Sequence, residues 1–419
     1  MSTLSQPLPL PCGVCLPNRI AKSAMSERLG DAQGHADERL ARLYGRWSDG
    51  GAGLLITGNV MVDPQAVAEP GNVVLDREHP LGPLQAWAHA ATRSGSQAWV
   101  QLNHPGRQVP RSLSVEPVAP SAVAVQMGGV FGTPRALTEP EIEAIIVRFA
   151  ESASRAKEAG FTGVQLHAAH GYLISQFLSP LTNLRTDGWG GDAERRRRFL
   201  LAVVAAVRAA VGPDFPVGVK LNSADFQRGG FDEQESMEVV AALDAAGIDL
   251  LEISGGTYER SILFTESNAA ESTRTREAFF LEYAEGVRGR TALPILLTGG
   301  FRSGRAMTEA VSSGAIDVAG LARPLAVEPD LPLRLLADPG AAARVVHLAT
   351  GSKSLDGLVV GAWYGRQIRR MGQGLAPSMG LTRLGAVAWY LGAHLASVAR
   401  RRARSPHRPG AVGGADAVV

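Results

Sequence analysis

Two cysteines, Cys12 and Cys15, are all that 419 residues contain. They sit together as "CGVC", with no Cys-rich or His-rich segment nearby to complete a ligand set. That excludes a disulfide-stapled scaffold and counts against a structural metal site, leaving two thiols of a reducing compartment. An excess of either charge is also missing, because 42 basic and 40 acidic side chains leave a formal net charge of +2. Such a chain has no field with which to gather nucleic acid. No uninterrupted apolar run reaches the roughly 20 residues of a membrane span. The opening "MSTLSQPLPLPC" lacks the basic start and long apolar stretch of a secretory signal. A cytoplasmic protein acting on a small molecule is expected.

What is present is repetition. From residue 19 to about 325 one unit recurs: an Ala-rich helical stretch, a Gly-containing turn, a short apolar strand, then a polar or glycine-rich loop. The strand segments are "NRIAKSAM", "DGGAGLLITG", "RSGSQAWVQL", "AGFTGVQLHA", "FPVGVKLN", "AGIDLLEIS", "LPILLTGG" and "GAIDVAGLARP". Their continuous apolar runs fit a parallel sheet buried on both faces. Eight units predict an α/β fold, a closed (β/α)8 TIM barrel; an open dinucleotide-binding sheet would put GxGxxG after its first strand, and none is there. Two insertions break the rhythm. Residues 106–138 read as a lid or rim over the substrate, and "SPLTNLRTDGWGGDAERRRRF" leads into a helix whose Arg195 to Arg198 read as a solvated face. The barrel is expected over 1–335. Residues 336–419 form a C-terminal helical extension whose apolar "LTRLGAVAWYLGAHLASVAR" packs on the barrel or on a partner subunit, leaving a homo-oligomer open. Its basic tail ends in a frayed last dozen residues.

The working face of such a barrel lies at the carboxyl ends of its strands. Those positions carry Ser26, Gly58, Gln101, His104, His167, His170, Tyr172, Lys220, Asn222, Gly299, Gly300 and Arg323. Glycines after strand seven and an arginine after strand eight make a phosphate site from backbone N–H groups and a guanidinium. No metal triad, no Ser or Cys paired to a base and no close carboxylate pair stands among them, which excludes most hydrolytic mechanisms. In "QLHAAHGYL" two imidazoles spaced by three point at one electronegative atom, and Tyr172 delivers a proton. His104 supports the loop; Asn222 and Glu252 back the site or fill the barrel. A polarised carbonyl and a proton donor without a nucleophile take their electrons from a cofactor.

On these residues the chain resembles the Old Yellow Enzyme family of FMN-dependent ene-reductases. "NRIAKSAMSE", "QLNHPGRQ", "HAAHGYLISQFLSPLTNLRTDGWGGDAERRRRFL", "GVKLNSADF", "LLTGGFRSG" and "DVAGLARPLAVEPDLP" recur in the family's order and spacing. It is most similar to the NADH:flavin oxidoreductase or NADH oxidase branch. The resemblance implies that FMN lies across the mouth, with Ala24, Met25 and Ser26 along the ring, Gly58 letting it approach, and Gln101 on its pyrimidine edge. Lys220 would face N1 and O2, and Gly299, Gly300, Ala322 and Arg323 would hold the phosphate. His167 and His170 would bind the substrate oxygen, with Tyr172 as general acid. NADH or NADPH would reduce the flavin, which would reduce the C=C bond of an α,β-unsaturated carbonyl compound. Ser26, Lys220 and Ala322 depart from commoner Thr or Cys, Arg and Gly. No cysteine cluster follows the barrel, so no iron–sulfur cluster is expected. Two other readings remain: a dehydrogenase or demethylase whose substrate reduces the flavin, and a flavin-binding accessory subunit whose basic extension docks a partner or membrane.

Overall fold

A computed structural model of the chain describes residues 3–256, 278 and 280–404; the frayed end expected beyond them lies outside these residues. All eight apolar segments are strands. β1 spans Ile20–Lys22, β2 Leu54–Met61, β3 Gln97–Asn103, β4 Gly163–Ala168, β5 Val217–Asn222, β6 Leu250–Ser254, β7 Ile295–Thr298 and β8 Val318–Leu321. Sequence neighbours pair in parallel and β8 pairs with β1, so the sheet closes into the expected (β/α)8 barrel.

Around it lie α1 (Glu38–Asp49), α2 (Leu81–Thr92), α3 (Glu139–Glu158), the short α4 (Leu173–Leu178), α5 (Ala193–Val211), α6 (Glu233–Ala245), α7 (Leu281–Arg288), α8 (Gly304–Ser312) and α9 (Leu331–Ala337). Polar side chains set where they begin. Asp37, Asp192, Asp232 and Ser303 accept from first-turn N–H groups, and Thr138 with Glu141 closes a capping box. Arg196 corrects one expectation: it is buried, bonding Leu178 O, Gly191 O and Glu235, so it ties α5 to α6 and is no solvated charge.

Strand alternation sends every second side chain inward. At the amino end the lumen is apolar and filled by Trp99. A Cβ at Gly163 or Gly218 would lie 2.5 or 2.8 Å from that indole, so bare backbone on β4 and β5 makes room for it. Ala21, Leu54, Ile56, Leu250, Leu296 and Val318 complete the layer. Leu8, Leu10 and Leu16 join it from an N-terminal hairpin that plugs the barrel from below. Cys12 and Cys15 belong to this plug and are unbonded to each other; burial pushes the Cys12 thiol up to about 11, which leaves it unreactive.

The extension forms α10 (Lys353–Gly372) and α11 (Arg383–Arg404). Trp363 and Ala386 centre its own small core, while Ile368 and Met371 enter the barrel's core. Arg42 of α1 donates to the Gly372 carbonyl at 2.8 Å. Among the described residues no helix is long and apolar enough to cross a membrane.

Candidate active site

Above the Trp99 layer the inward side chains turn polar. Glu252, fully buried on β6, accepts from Gln165 Nε2 at 2.7 Å, Lys220 Nζ at 2.9 Å and Thr298 Oγ1 at 2.7 Å. Gln101 Nε2 donates to Gln165 Oε1 at 2.7 Å. Ser23 and Thr298 hydroxyls lie 2.6 Å apart, and since Thr298 donates to Glu252, Ser23 donates to Thr298. One carboxylate therefore orders a floor spanning five strands and the residue that follows β1. It also fixes Gln101: with Nε2 committed sideways, the amide oxygen is left as an acceptor. Lys220 sits in this floor as a buried cation with a counter-ion, which is the condition for keeping a charge out of water.

The imidazole pair stands one step higher. His167, the next-to-last residue of β4, is in register with Lys220. Its Nδ1 accepts from the Ala169 N–H at 3.3 Å, so the neutral ring carries its proton on Nε2 and is a donor there. His170 and Gly171 take φ of 59° and 74°, a left-handed turn held by four side chains. Asn222 accepts from the His170 N–H, Gln108 donates to the His170 carbonyl, Ser175 accepts from the Gly171 N–H, and Gln176 donates to the Gly171 carbonyl. This turn folds the second imidazole back over the strand end. Ring centres of His167 and His170 are 5.1 Å apart, and those of His167 and Tyr172 4.8 Å. His170 Nε2 meets Ser254 Oγ at 2.8 Å. Burial first, and then nearby positive charge including Lys220, holds both imidazoles well below the ordinary histidine value. Both are neutral hydrogen-bonding rings at neutral pH.

The residues expected to hold a cofactor lie at or just beyond the carboxyl ends of other barrel strands. Ala24 packs on the apolar layer of the lumen, and Met25 on the outer core. Ser26 Oγ lies 2.8 Å from both Asn59 Oδ1 and Glu69 Oε1. Gly58 has a nearer reason to lack a side chain than a ring above it: a Cβ would meet the Met25 carbonyl at 2.3 Å and Glu27 Oε2 at 2.2 Å. Its N–H donates to Glu27 at 2.7 Å, and Glu27 is held by Tyr44 and lies 3.8 Å from the buried Lys22 ammonium. Gly299 and Gly300 follow β7 with φ of 145° and 93°, conformations closed to side chains. Ala322 has φ −121°, a negative value that does not demand glycine, and Arg323 opens the turn after β8. His104 Nδ1 accepts from the Gly106 N–H at 3.1 Å, a loop-supporting role; burial brings its value down to about 4.

The structure adds Asn59, Gln165, Ser254 and Thr298 to the site. Asn59 follows a register shift in β2, and such a bulge re-aims a side chain. The others were signalled by being polar at alternate positions of apolar strands. Together these groups fit a flavin mononucleotide: a cation and an amide acceptor for its ring, and side-chain-free backbone beside an arginine for its phosphate. Asn103, buried at the inward end of β3 with neither amide atom partnered, is the orphan that a ligand at this mouth would satisfy.

The model of the NADH:flavin oxidoreductase / NADH oxidase family matches residues 4–338. The NADH-dependent flavin oxidoreductase iliE of Hypocrea jecorina (strain QM6a) is 39% identical over 353 residues, 78% of this chain and 87% of the relative. Its namesake from Neonectria sp. (strain DH2) is 37% identical over 362 residues, 80% of this chain but 47% of the relative, so the chain spans about half of that protein. Among solved structures, the old yellow enzyme homologue from Zymomonas mobilis superposes with a TM-score of 0.70 at 25% identity, covering 82% of this chain and 95% of that one. The chain belongs to the NADH:flavin oxidoreductase / NADH oxidase family, the Old Yellow Enzyme family, with FMN as its cofactor and a reduced nicotinamide as its electron donor.

Proposed function

We propose that the chain reduces the activated C=C bond of α,β-unsaturated carbonyl compounds. The observation that carries this reading is the convergence on His167 of a second neutral imidazole, His170, at 5.1 Å and the buried phenol of Tyr172 at 4.8 Å between ring centres. FMN, when bound, supplies the hydride that the β-carbon receives. Ala24, Met25, Ser26, Gly58 and Gln101 would line its ring, Lys220 would serve its pyrimidine edge, and Gly299, Gly300, Ala322 and Arg323 would hold its phosphate.

The chain's own residues do the rest. His167 Nε2–H and His170 hold the carbonyl oxygen and stabilise the negative charge that grows there as the double bond is reduced. Neutral rings suit this task, because a hydrogen-bond donor is needed and a permanent second cation beside Lys220 is not. Tyr172 gives its proton to the α-carbon. Its oxygen lies 3.3 Å from Asn59 Nδ2, a donor that favours the phenolate left behind. Burial of His167 and Tyr172 keeps water from competing for the reduced carbon.

The two half-reactions separate the roles. Under anaerobic conditions NADH or NADPH should bleach the yellow protein, and cyclohexenone should restore the colour. Tyr172→Phe should slow the second step by roughly 10²- to 10⁴-fold, the usual contribution of a general acid, and leave the first step unchanged. Equal slowing of both steps, or bleaching by an amine or a ring substrate in place of nicotinamide, would defeat the reading.

A further inference from the structure

Helix α11 lies outside the residues matched by the family, yet it reaches the mouth of the barrel. The Arg28 guanidinium, in the loop after β1, sits 4.3 Å from the ring centre of Tyr390. Arg28 Nε donates to the Pro70 carbonyl at 3.4 Å and lies 3.5 Å from the Glu69 carboxylate. One turn further along α11, His394 Nε2 is 3.4 Å from Ser112 Oγ in the long insertion after β3. Residues four apart share a helix face. That face of α11 therefore rests on two different loops of the active-site rim. The electrostatics agree: burial and then the Glu69 charge raise the Tyr390 phenol, while burial and then Arg28 lower His394.

From Glu69 the contacts run inward without a gap. Ser26 Oγ lies 2.8 Å from both Glu69 Oε1 and Asn59 Oδ1, two acceptors that share its single proton. Asn72 Nδ2 donates to the same Asn59 oxygen at 3.2 Å, which turns the Asn59 amide nitrogen toward Tyr172. The guanidinium supplies the counter-charge that holds Glu69 beside Ser26. Without it the carboxylate is free to swing into water, and Ser26 loses the partner that holds its hydroxyl against Asn59.

We propose that α11 is a working wall of the active site: through Arg28, Glu69, Ser26 and Asn59, Tyr390 positions the group that faces the Tyr172 oxygen. Tyr390 and Arg28 are then positioning residues for proton delivery, and His394 with Ser112 closes the same side of the entrance. The proposal rests on Tyr172 being the proton donor.

The test is a double-mutant cycle on the full-length, FMN-loaded protein, with the two half-reactions followed separately by flavin absorbance. Tyr390→Ala should slow reoxidation by cyclohexenone roughly five- to thirtyfold, the effect of losing one hydrogen bond's alignment, and leave reduction by NADH within about twofold. In a Tyr172→Phe background, Tyr390→Ala should add less than about twofold, because its route to the reaction is gone. Arg28→Gln, which leaves α11 unchanged, should repeat the pattern. The ¹³Cζ resonance of Tyr172, assigned among the six tyrosines by its loss in Tyr172→Phe, should move in Arg28→Gln. Equal slowing of both half-reactions, full additivity, or an unmoved resonance would overturn the proposal. If Tyr172→Phe slows reoxidation and Tyr390→Ala does not, the wall alone falls; if Tyr172→Phe changes nothing, the proton-donor reading falls and takes the wall with it.

Discussion

The two ends of the barrel lumen are built from the same strands and filled by opposite means. At the amino end, Trp99 occupies space that Gly163 and Gly218 leave bare, and nothing in that layer carries a charge. At the carboxyl end, only two residues along β3, Gln101 begins a chain of polar contacts that ends in the Lys220–Glu252 pair. The lower layer is fixed by shape and the upper by charge. Errors below cost volume, whereas errors above leave a buried ion without a partner. Chemistry grows at the end where the interior was left polar, and the rigid indole below is what that polar floor stands on.

The comparison predicts unequal penalties. Glu252→Ala strands Lys220 and removes the acceptor of Gln165 and Thr298, so it should cost about 3–5 kcal/mol, the range for breaking a buried ion pair. Urea unfolding at saturating FMN measures it. Gly163→Ala puts a methyl where the indole already lies and should cost about 1–3 kcal/mol, as overpacking does. Pairing it with Trp99→Leu should recover part of that loss, a coupling of about 0.5–3 kcal/mol that identifies the clash as its cause. A Glu252→Ala loss no greater than that of Gly163→Ala would erase the distinction between the two layers.

The same contrast explains what the sequence disclosed. Strand existence is local, so "FPVGVKLN" and "AGIDLLEIS" each announced a strand, and counting them gave the barrel. The mouth residues followed, because a carboxyl strand end is a position along the chain. Partners across the barrel are different. Glu252 stood out only as polar in an apolar strand, and its pairing with Lys220 follows from the β5–β6 register. Asn59 was hidden because the bulge in β2 breaks the alternation by which it would have been assigned to the lumen. Tyr390 is legible as part of an apolar helix but not as a neighbour of Arg28, since no periodicity relates residues 362 positions apart; the docking of α10 on the core through Ile368 and Met371, and of α11 on α10 around Trp363, brings them together.

Acid should discriminate between the layers more gently than any substitution. His167 and His170 are held well below the ordinary value by burial, so the folded protein binds fewer protons than the unfolded chain once the pH drops toward 6.5. Their contribution to stability is complete above the unfolded value of about 6.5 and is lost as pH falls below it. Two such groups should withdraw about 1 kcal/mol between pH 6.5 and 6, and progressively more below. His79 and His104, also depressed by burial, act with the same sign, so the wild-type slope alone does not locate the effect. The difference between the wild type and a His167→Asn, His170→Asn protein does, because the uncharged layer around Trp99 contributes nothing to either slope. Urea midpoints taken across this window should converge as pH falls; parallel curves would mean that the imidazoles take up protons as readily in the folded protein as in the unfolded chain and that the mouth is wetter than its packing implies.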